Sequence, residues 1–453
     1  WSSDVCSSDL EVRRRLAPLR RSGITSLAVC LLHAYRNGAH EERIAAIADE
    51  LGFEQVSVSS RLAPLQRIVP RGDTTVVDAY LTPIIRDYVR SIRRELPDAS
   101  LKLMPSSGSL VDAERFVGKD SVLSGPAGGV VGVAQVARAA GFPTAVGFDM
   151  GGTSTDVSRF AGDFERRYMM EVNDPTSDAG VRIVAPMLSI ETVAAGGGSI
   201  CHFDGQKALV GPESAGSNPG PACYGRGGPL TITDCNVHLG RVLVDRFAFP
   251  LDPQAAQRRL EELCLQIRTQ TGQEWSPDEL AIGFVRIADA NMAAAIKKVS
   301  IARGYDVRGD VLVSFGGAGA QHACAIAREL GIRKILQHPS AGVLSAYGIG
   351  RADVTRFADR HVGEVYSETA LTRLEPILSR LEDELLEEVL REGIARERIQ
   401  PARRILELRY KGQDSTIPTP RPDDGDFARE FEARHRRLRS EEHTSELQSH
   451  SDL

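Results

Sequence analysis

Apolar and polar positions along the chain alternate in patterns that separate strands from helices. ITSLAVCLL (Ile24–Leu32) is continuously apolar and predicts a buried strand. EERIAAIADEL (Glu41–Leu51) has helical spacing, and QVSVSS after it predicts a short strand. TTVVDAYLTPIIRDYVRSIRREL (Thr74–Leu96) predicts a long amphipathic helix, bent or split at Pro83, because proline removes an intrahelical hydrogen bond. LKLMPSSG opens a second region. Within it, SGPAGGVVGVAQVARAAG (Ser124–Gly141) predicts a glycine turn and a helix whose small-residue face lets another backbone approach closely. TAVGFDM predicts a buried strand. From Ser158 to Arg241, glycine, proline and short apolar runs predict an insertion of strands and loops. Leu251–Thr271 and Pro277–Arg303 read as helices. DVLVSFGGAGAQHACAIARELG and RKILQHPSAGVLSAYGIGRAD each read as strand, glycine turn, helix. Tyr366–Gly393 predicts a charged helix and RRILELRYKGQ a strand.

The 453 residues are 42% hydrophobic and 26% charged, with a formal net charge of −6. That balance argues against nucleic acid or an anionic membrane as a main partner. No apolar stretch reaches transmembrane length, and the start does not resemble a signal peptide. Seven cysteines in so long a chain do not suggest a disulfide scaffold, so a reduced, cytoplasmic setting is expected.

The two ends differ from the rest. WSSDVCSSDL opens the chain, and RSEEHTSEL (Arg439–Leu447) lies near its end. One DNA sequence encodes the first on one strand and the second on the other, and it resembles a sequencing-library adapter. Residues 1–10 and 439–453 are therefore expected to be adapter-derived and disordered, around a fragment running from Glu11 to Leu438. Domain limits are expected at residues 11–97, 98–362 and 363–438.

The chemistry concentrates in glycine turns. In GFDMGGTSTDV (Gly147–Val157) a buried strand delivers Asp149 at its end. Gly151 and Gly152 let backbone amides approach an oxyanion, and Thr153, Ser154 and Thr155 offer hydroxyls. Asp149 and Asp156 are expected to be ionised, given an ordinary carboxyl pKa of about 3.9. Beside a polyphosphate they make sense if a divalent cation or its waters intervene, or if they orient a nucleophilic water. The alternative is a tight β-hairpin with a polar tip. A second turn, SFGGAGAQHA (Ser314–Ala323), also joins a buried strand to a helix, where free amides and the helix dipole favour an anion. It lacks the G-x-G-x-x-G spacing, and no G-x-x-x-x-G-K-[ST] occurs, which argues against Rossmann and P-loop sites. His322 in this turn reads first as a satisfied or solvent-facing side chain. Cys201, Cys223, Cys235 and His238 are spaced C-x21-C-x11-C-x2-H, without the paired short spacings zinc prefers, so structural thiols are expected. Asp234 and Asn236 either orient a loop or face a site.

The order SGPAGG-helix, FDMGGTSTDV, FGGAGAQHA and HPSAGVLSAYGIGRAD resembles the actin, sugar kinase and heat-shock ATPase superfamily. Within it, VAAGGGSI (Val193–Ile200), VGPESAGSNPGPACYGRGG (Val210–Gly228), TDCNVHLGR (Thr233–Arg241) and FGGAGAQHA resemble the hydantoinase A / 5-oxoprolinase family over essentially Glu11–Leu438. The resemblance implies an α/β fold: a two-lobed actin-like (ribonuclease H-like) ATPase core with a glycine-rich insertion and an incomplete N-terminal lobe. It implies that Asp149–Asp156 is the second phosphate loop and Gly316, Gly317 and Gly319 the adenosine loop. Gly128–Ala137 and Gly342–Gly350 would be small-residue connecting helices. Asp149 and Asp156 would serve catalysis and hold Mg2+, possibly through water, with Gly151, Gly152, Thr153, Ser154 and Thr155 holding ATP. Two positions depart from the family pattern: Ala320 stands where glycine is usual, and Cys235 where alanine is. The family's first phosphate loop is expected upstream of Glu11.

The implied reaction is ATP-dependent opening of a cyclic amide, with 5-oxoproline the first substrate and hydrolysis shared with a hydantoinase B-type subunit or domain. An oligomer is expected for the full-length form. The alternatives are the ATP-using subunit of an acetone or aryl-ketone carboxylase, or an N-methylhydantoinase. A client-binding ATP switch would need a separate peptide-binding domain, which the residues after Arg403 do not suggest.

Overall fold

The structure, a computed structural model, describes residues 2–173, 180–413 and 416–449, with side chains described from Ser8 to Leu438 outside those gaps. Its first half contains α1 (Ser2–Arg21), β1 (Ser26–Val29), α2 (Ala39–Glu50), β2 (Gln55–Val58), α3 (Ser59–Leu62), α4 (Ile68–Glu95), β3 (Lys102–Leu103), β4 (Val111–Asp112), α5 (Ser124–Ala139), β5 (Thr144–Met150), β6 (Thr155–Ala161), β7 (Arg166–Asn173), β8 (Gly180–Leu188), β9 (Ile190–Val193), β10 (Ser199–Phe203) and β11 (Ala208–Ser214). There follow α6 (Ile232–His238), α7 (Pro253–Thr271), α8 (Pro277–Val299), β12 (Val311–Phe315), α9 (Gly319–Leu330), β13 (Lys334–Gln337), α10 (Leu344–Ile349), α11 (Glu368–Arg391), β14 (Ile405–Leu408), β15 (Ile417–Pro420) and α12 (Phe427–Ser449). Residues 2–10 and 439–449, for which disorder was expected, extend α1 and α12. Polar sequence prolongs a helix readily once a neighbouring segment has nucleated it.

The chain forms two compact units. The first comprises the chain up to Ala127 with Arg166–Leu188 and Ala352–Arg404. In it the parallel pair β1–β2 and the hairpin β7–β8 both pack on α4. α4 runs unbroken through Pro83, contrary to the expected bend. Pro83 cannot donate to the carbonyl of Ala79, four residues back, and the Ser26 hydroxyl donates to that carbonyl instead. Thr74, buried on the same helix, accepts from the Val184 amide at 2.9 Å. Asp78 accepts from Ser57 Oγ at 2.7 Å and from the Lys119 amide at 3.1 Å.

The second unit comprises Gly128–Glu165, Ser189–Arg351 and the chain from Ile405. At its centre is a five-stranded sheet in the order β13-β12-β5-β6-β9. β13, β12 and β5 run parallel, while β6 and β9 pair antiparallel. β6 and β9 thus belong to the central sheet, not to an insertion as expected; the glycine-rich part is confined to β10, β11 and the loops around them. Alternation along β5 splits its side chains between two cores. Val146, Phe148 and Met150 pack with Leu260, Phe284, Met292, Ile296 and Ile326 from α7, α8 and α9. Ala145 packs with Val133, Ala137, Phe315 and Leu344, from α5, β12 and α10, on the other face. The result is three layers, helix–sheet–helix.

α5 and α10 approach as closely as the small-residue pattern suggested. A Cβ on Gly348 would run into the Gly128 carbonyl and lie 2.5 Å from the Gly132 amide nitrogen. Gly283, inside α8, has nothing within 4 Å of the same position. The same substitution therefore acts oppositely at the two sites. Gly283→Ala is expected to stabilise by up to about 1 kcal/mol through helix propensity. Gly348→Ala is expected to destabilise by about 1–3 kcal/mol through overpacking. Urea denaturation midpoints of the two variants check the contrast.

Candidate functional site

The register of β5 and β6 builds the site. Asp149 lies opposite Asp156 and Met150 opposite Thr155, which leaves residues 151–154 as the hairpin tip. The Gly151 amide closes it on the Ser154 carbonyl at 3.0 Å. GFDMGGTSTDV is therefore a β-hairpin, with the two carboxylates at its neck. Directly opposed residues share a face. Thr192, opposite Asp156 on β9, donates its hydroxyl to Asp156 Oδ1 at 2.6 Å.

These carboxylates do not titrate ordinarily, contrary to the expectation from reference values. Burial, and secondarily the charge of Asp156, push Asp149 up to about 6. Burial also raises Asp156, against the lowering effect of the Thr192 hydroxyl. Among the described residues no donor bonds the Asp149 side chain. Asp149 is thus the acid without local compensation, and a cation placed there would relieve both penalties.

β12 brings the second turn alongside. Phe315 is in register with Asp149, so the chain leaves β12 at the neck of the hairpin. Gly316 has φ +80°, and a Cβ there would strike Asp149 Oδ1 and lie 2.5 Å from the Met150 carbonyl oxygen. Only glycine fits that conformation and that approach. The Ala318 amide donates to the same Met150 carbonyl at 3.0 Å. A third segment closes against the tip. The Gly197 amide donates to Gly151 O at 3.0 Å, and the Gly198 amide to Gly152 O at 2.6 Å. A Cβ on Gly196 would lie 2.8 Å from the Gly152 backbone, which explains the run of glycines in VAAGGGSI. Thr233 of α6 holds this segment from behind, its amide and hydroxyl reaching Gly197 O at 2.7 and 2.8 Å.

The predicted residues fall into distinct places. Gly152, Thr153 and Gly317 are exposed; Gly151, Ser154 and Gly316 are partly so. The amides of Gly152, Thr153 and Gly317 have no backbone partner among the described residues. Thr155 turns inward: it is buried, and its hydroxyl donates to Ala195 O at 2.5 Å, so it is not a phosphate donor. Gly319 is also buried, with a Cβ position 2.9 Å from Ser314 Oγ and 3.7 Å from the Phe148 ring. It fits the helix against the sheet and presents nothing outward. His322 is fully buried and satisfied, between Asp289 and Asn236. Asp234 orients a loop, accepting from the Ala222, Cys223 and Thr231 amides at 3.0, 2.7 and 2.8 Å. Cys201, Cys223 and Cys235 are free and buried, and burial pushes the Cys201 thiol well up. Among the described residues no three His, Cys, Asp or Glu side chains cluster as metal ligands. Thr192, Thr233 and Asp289 were not singled out in the sequence. Strand register and helix packing bring in Thr192 and Asp289 from isolated positions that no local motif marks, while Thr233 opens the quoted TDCNVHLGR stretch without a role assigned to it.

Family models now bear on this geometry. The model described as hydantoinase/oxoprolinase matches residues 71–357, and the one for the hydantoinase/oxoprolinase N-terminal region matches residues 7–52. The chain belongs to the hydantoinase/oxoprolinase family. It is 40% identical to 5-oxoprolinase 1 of Arabidopsis thaliana, over 97% of this chain and 36% of that protein. It is 40% identical to the 5-oxoprolinase of Saccharomyces cerevisiae, over 90% of this chain and 32% of that one. The chain thus spans about a third of the length of these relatives. Among solved structures, the ATP-dependent caprolactamase from Pseudomonas jessenii superposes with a TM-score of 0.78 at 29% identity, covering 94% of this chain and 63% of that one. A nucleotide-free acetone carboxylase, 22% identical with a TM-score of 0.66 and the same coverage of 94% and 63%, shares the fold. No helix among the described residues is long and apolar enough to cross a membrane.

The raised pKa of Asp149 has a sign that can be checked. The folded state holds the proton more tightly than the unfolded chain does. The penalty is therefore absent below the unfolded value, grows as pH rises toward about 6, and is complete above it. Asp149→Asn removes the penalty. Its melting temperature is expected to rise by about 2–5 °C at about pH 7.5. Most of that gain is expected to vanish at about pH 4, as followed by thermal melts across pH.

Proposed function

We propose that this chain is the nucleotide-using part of an ATP-dependent cyclic-amide hydrolase acting on 5-oxoproline. The observation that carries the reading is the Asp149–Asp156 pair at the neck of a glycine hairpin, with a second glycine turn packed on Asp149 itself. The sheet order supports an actin-like, ribonuclease H-like ATPase core: three antiparallel strands followed by two parallel ones, with helices on both faces. The family relatives named 5-oxoprolinase and the ATP-dependent caprolactamase point the same way.

The residues fit a magnesium–nucleotide pair. Two half-buried carboxylates with raised pKa values suit a divalent cation, and three amides at Gly152, Thr153 and Gly317 without backbone partners suit phosphate oxygens. Bound Mg2+ would neutralise phosphate charge during transfer. Asp149 and Asp156 would hold it directly or through water, as its preference for retained waters allows. Ser154 and Thr153 supply hydroxyl donors at the tip, and Gly316 keeps the second turn against Asp149.

Amide resonance makes a lactam carbonyl a poor electrophile. In the proposed sequence the carbonyl oxygen attacks the γ-phosphorus of ATP, the bond to the β-phosphate oxygen breaks, and ADP leaves with that electron pair. Water then adds at the activated carbon, the ring C–N bond breaks with a proton passing to nitrogen to leave an acyl phosphate, and a second water cleaves that mixed anhydride to release phosphate. The sum is 5-oxoproline, ATP and two waters to glutamate, ADP and phosphate. Little covalent help is needed from the protein for the first step; positioning and charge neutralisation dominate. The hydrolytic step is assigned to a hydantoinase B-type region, in an oligomer, in the cytoplasm, where free buried thiols such as Cys223 and Cys235 persist.

The test uses the full-length protein with its B region. ADP release that depends on 5-oxoproline and not on bicarbonate is expected. Asp149→Ala and Asp156→Ala should each lower it by about a hundred-fold or more at saturating Mg2+. Release that requires both a ketone and bicarbonate would overturn the reading in favour of a carboxylase.

A further inference from the structure

Three helices around the glycine turns are joined by a buried chain of polar side chains that the proposed reaction does not use. Asp289 of α8 bonds His322 Nδ1 at 2.6 Å, and His322 Nε2 meets Asn236 Nδ2 of α6 at 3.1 Å. His322 and Asn236 have no exposed surface, and Asp289 is 8% exposed. An amide nitrogen only donates, so His322 Nε2 accepts and the ring proton sits on Nδ1, facing Asp289. With its amide nitrogen toward the histidine, Asn236 Oδ1 is buried without a partner.

The position of this chain is specific. His322 lies in the first turn of α9, directly after Gly316–Gly319. Asn236 lies one turn after Thr233, which grips Gly197. From Gly197 the bonds continue to Gly151, and from Met150 back to Ala318 at the start of α9. The hydrogen bonds close a ring: hairpin tip, Gly197, α6, Asn236, His322, second turn, hairpin. Without the Asn236–His322 contact the ring opens, and the two turns are left joined by the Ala318–Met150 bond and by the β5–β12 pairing that ends at Asp149 and Phe315.

We propose that His322, fixed by Asp289 and bonded to Asn236, is a positioning residue that sets the spacing between the two glycine turns and so governs nucleotide affinity. This rests on the reading of those turns as the ATP site. It predicts an effect on ATP that the lactam does not share. His322 has no exposed surface and so reaches no reactant, and turnover at saturating ATP should persist.

The experiment is steady-state kinetics on the full-length protein with its B region, with direct measurement of Mg–ATP binding. His322→Ala and Asn236→Ala are each expected to raise the KM and Kd for ATP about ten-fold or more, with kcat within about three-fold and the KM for 5-oxoproline unchanged. His322→Gln, which offers one donor and one acceptor along the same path, is expected to restore ATP affinity to within about three-fold. If the alanine variants do not fold, the glutamine variant decides alone: ATP affinity lowered about ten-fold or more in a folded protein overturns the rescue and the proposal. A melting temperature that falls while ATP affinity stays unchanged gives His322 a purely structural role and overturns the proposal. A lost kcat with unchanged KM does the same. If the unsubstituted protein binds no ATP, the nucleotide reading fails first and this inference with it.

Discussion

The cross-strand register of β5 and β6 is the constraint from which the rest of the site follows. A shift of one residue would turn Asp149 and Asp156 toward Phe284 and Met292, where an unpaired carboxylate is untenable. The register is held from both sides. Val146, Phe148 and Met150 need the core formed with α7, α8 and α9, and Ala145 needs α5 and α10. Two acids are kept close together because an apolar strand leaves them no other place. The electrostatic cost is local, and the packing on two faces that sustains it is spread over some of the most deeply buried side chains of the unit.

The approach of backbones decides the other half of the architecture. At Gly316, Gly196 and Gly348, the missing Cβ is where another segment passes. These three positions serve different ends. Gly316 brings a turn to an acid, Gly196 seats a loop on a hairpin tip, and Gly348 lets two helices cross on the face of the sheet opposite α7, α8 and α9. The glycine content of the chain is therefore not looseness. Several of its glycines mark contact points of a tightly assembled frame.

Much of this was legible in the sequence. Strands such as TAVGFDM and VLVSF, and the helix that follows FGGA, declare themselves by apolar period and glycine punctuation, while SGPAGG, expected to open with a turn, is helical from Ser124. The two acids and the two turns were visible because their chemistry is local. What was not legible depended on distant partners. Pro83 broke no helix because a hydroxyl from Ser26 replaced the lost donor. Thr155 looked like its neighbours Thr153 and Ser154, but the pleat turned it inward. The acidity of Asp149 could not be read from a reference value, since it reflects burial and Asp156. Thr192 and Asp289 carried no pattern, and only folding placed them.

The hairpin tip is held almost wholly by main-chain atoms: Gly197 to Gly151, Gly198 to Gly152, Ala318 to Met150. Main-chain bonds are indifferent to which side chains hang outward from them. A frame of this kind can keep its shape while exposed positions drift, so inheritance of the scaffold and choice of reactant become separable. That separation suits a fold shared by proteins named for a lactam and for a ketone.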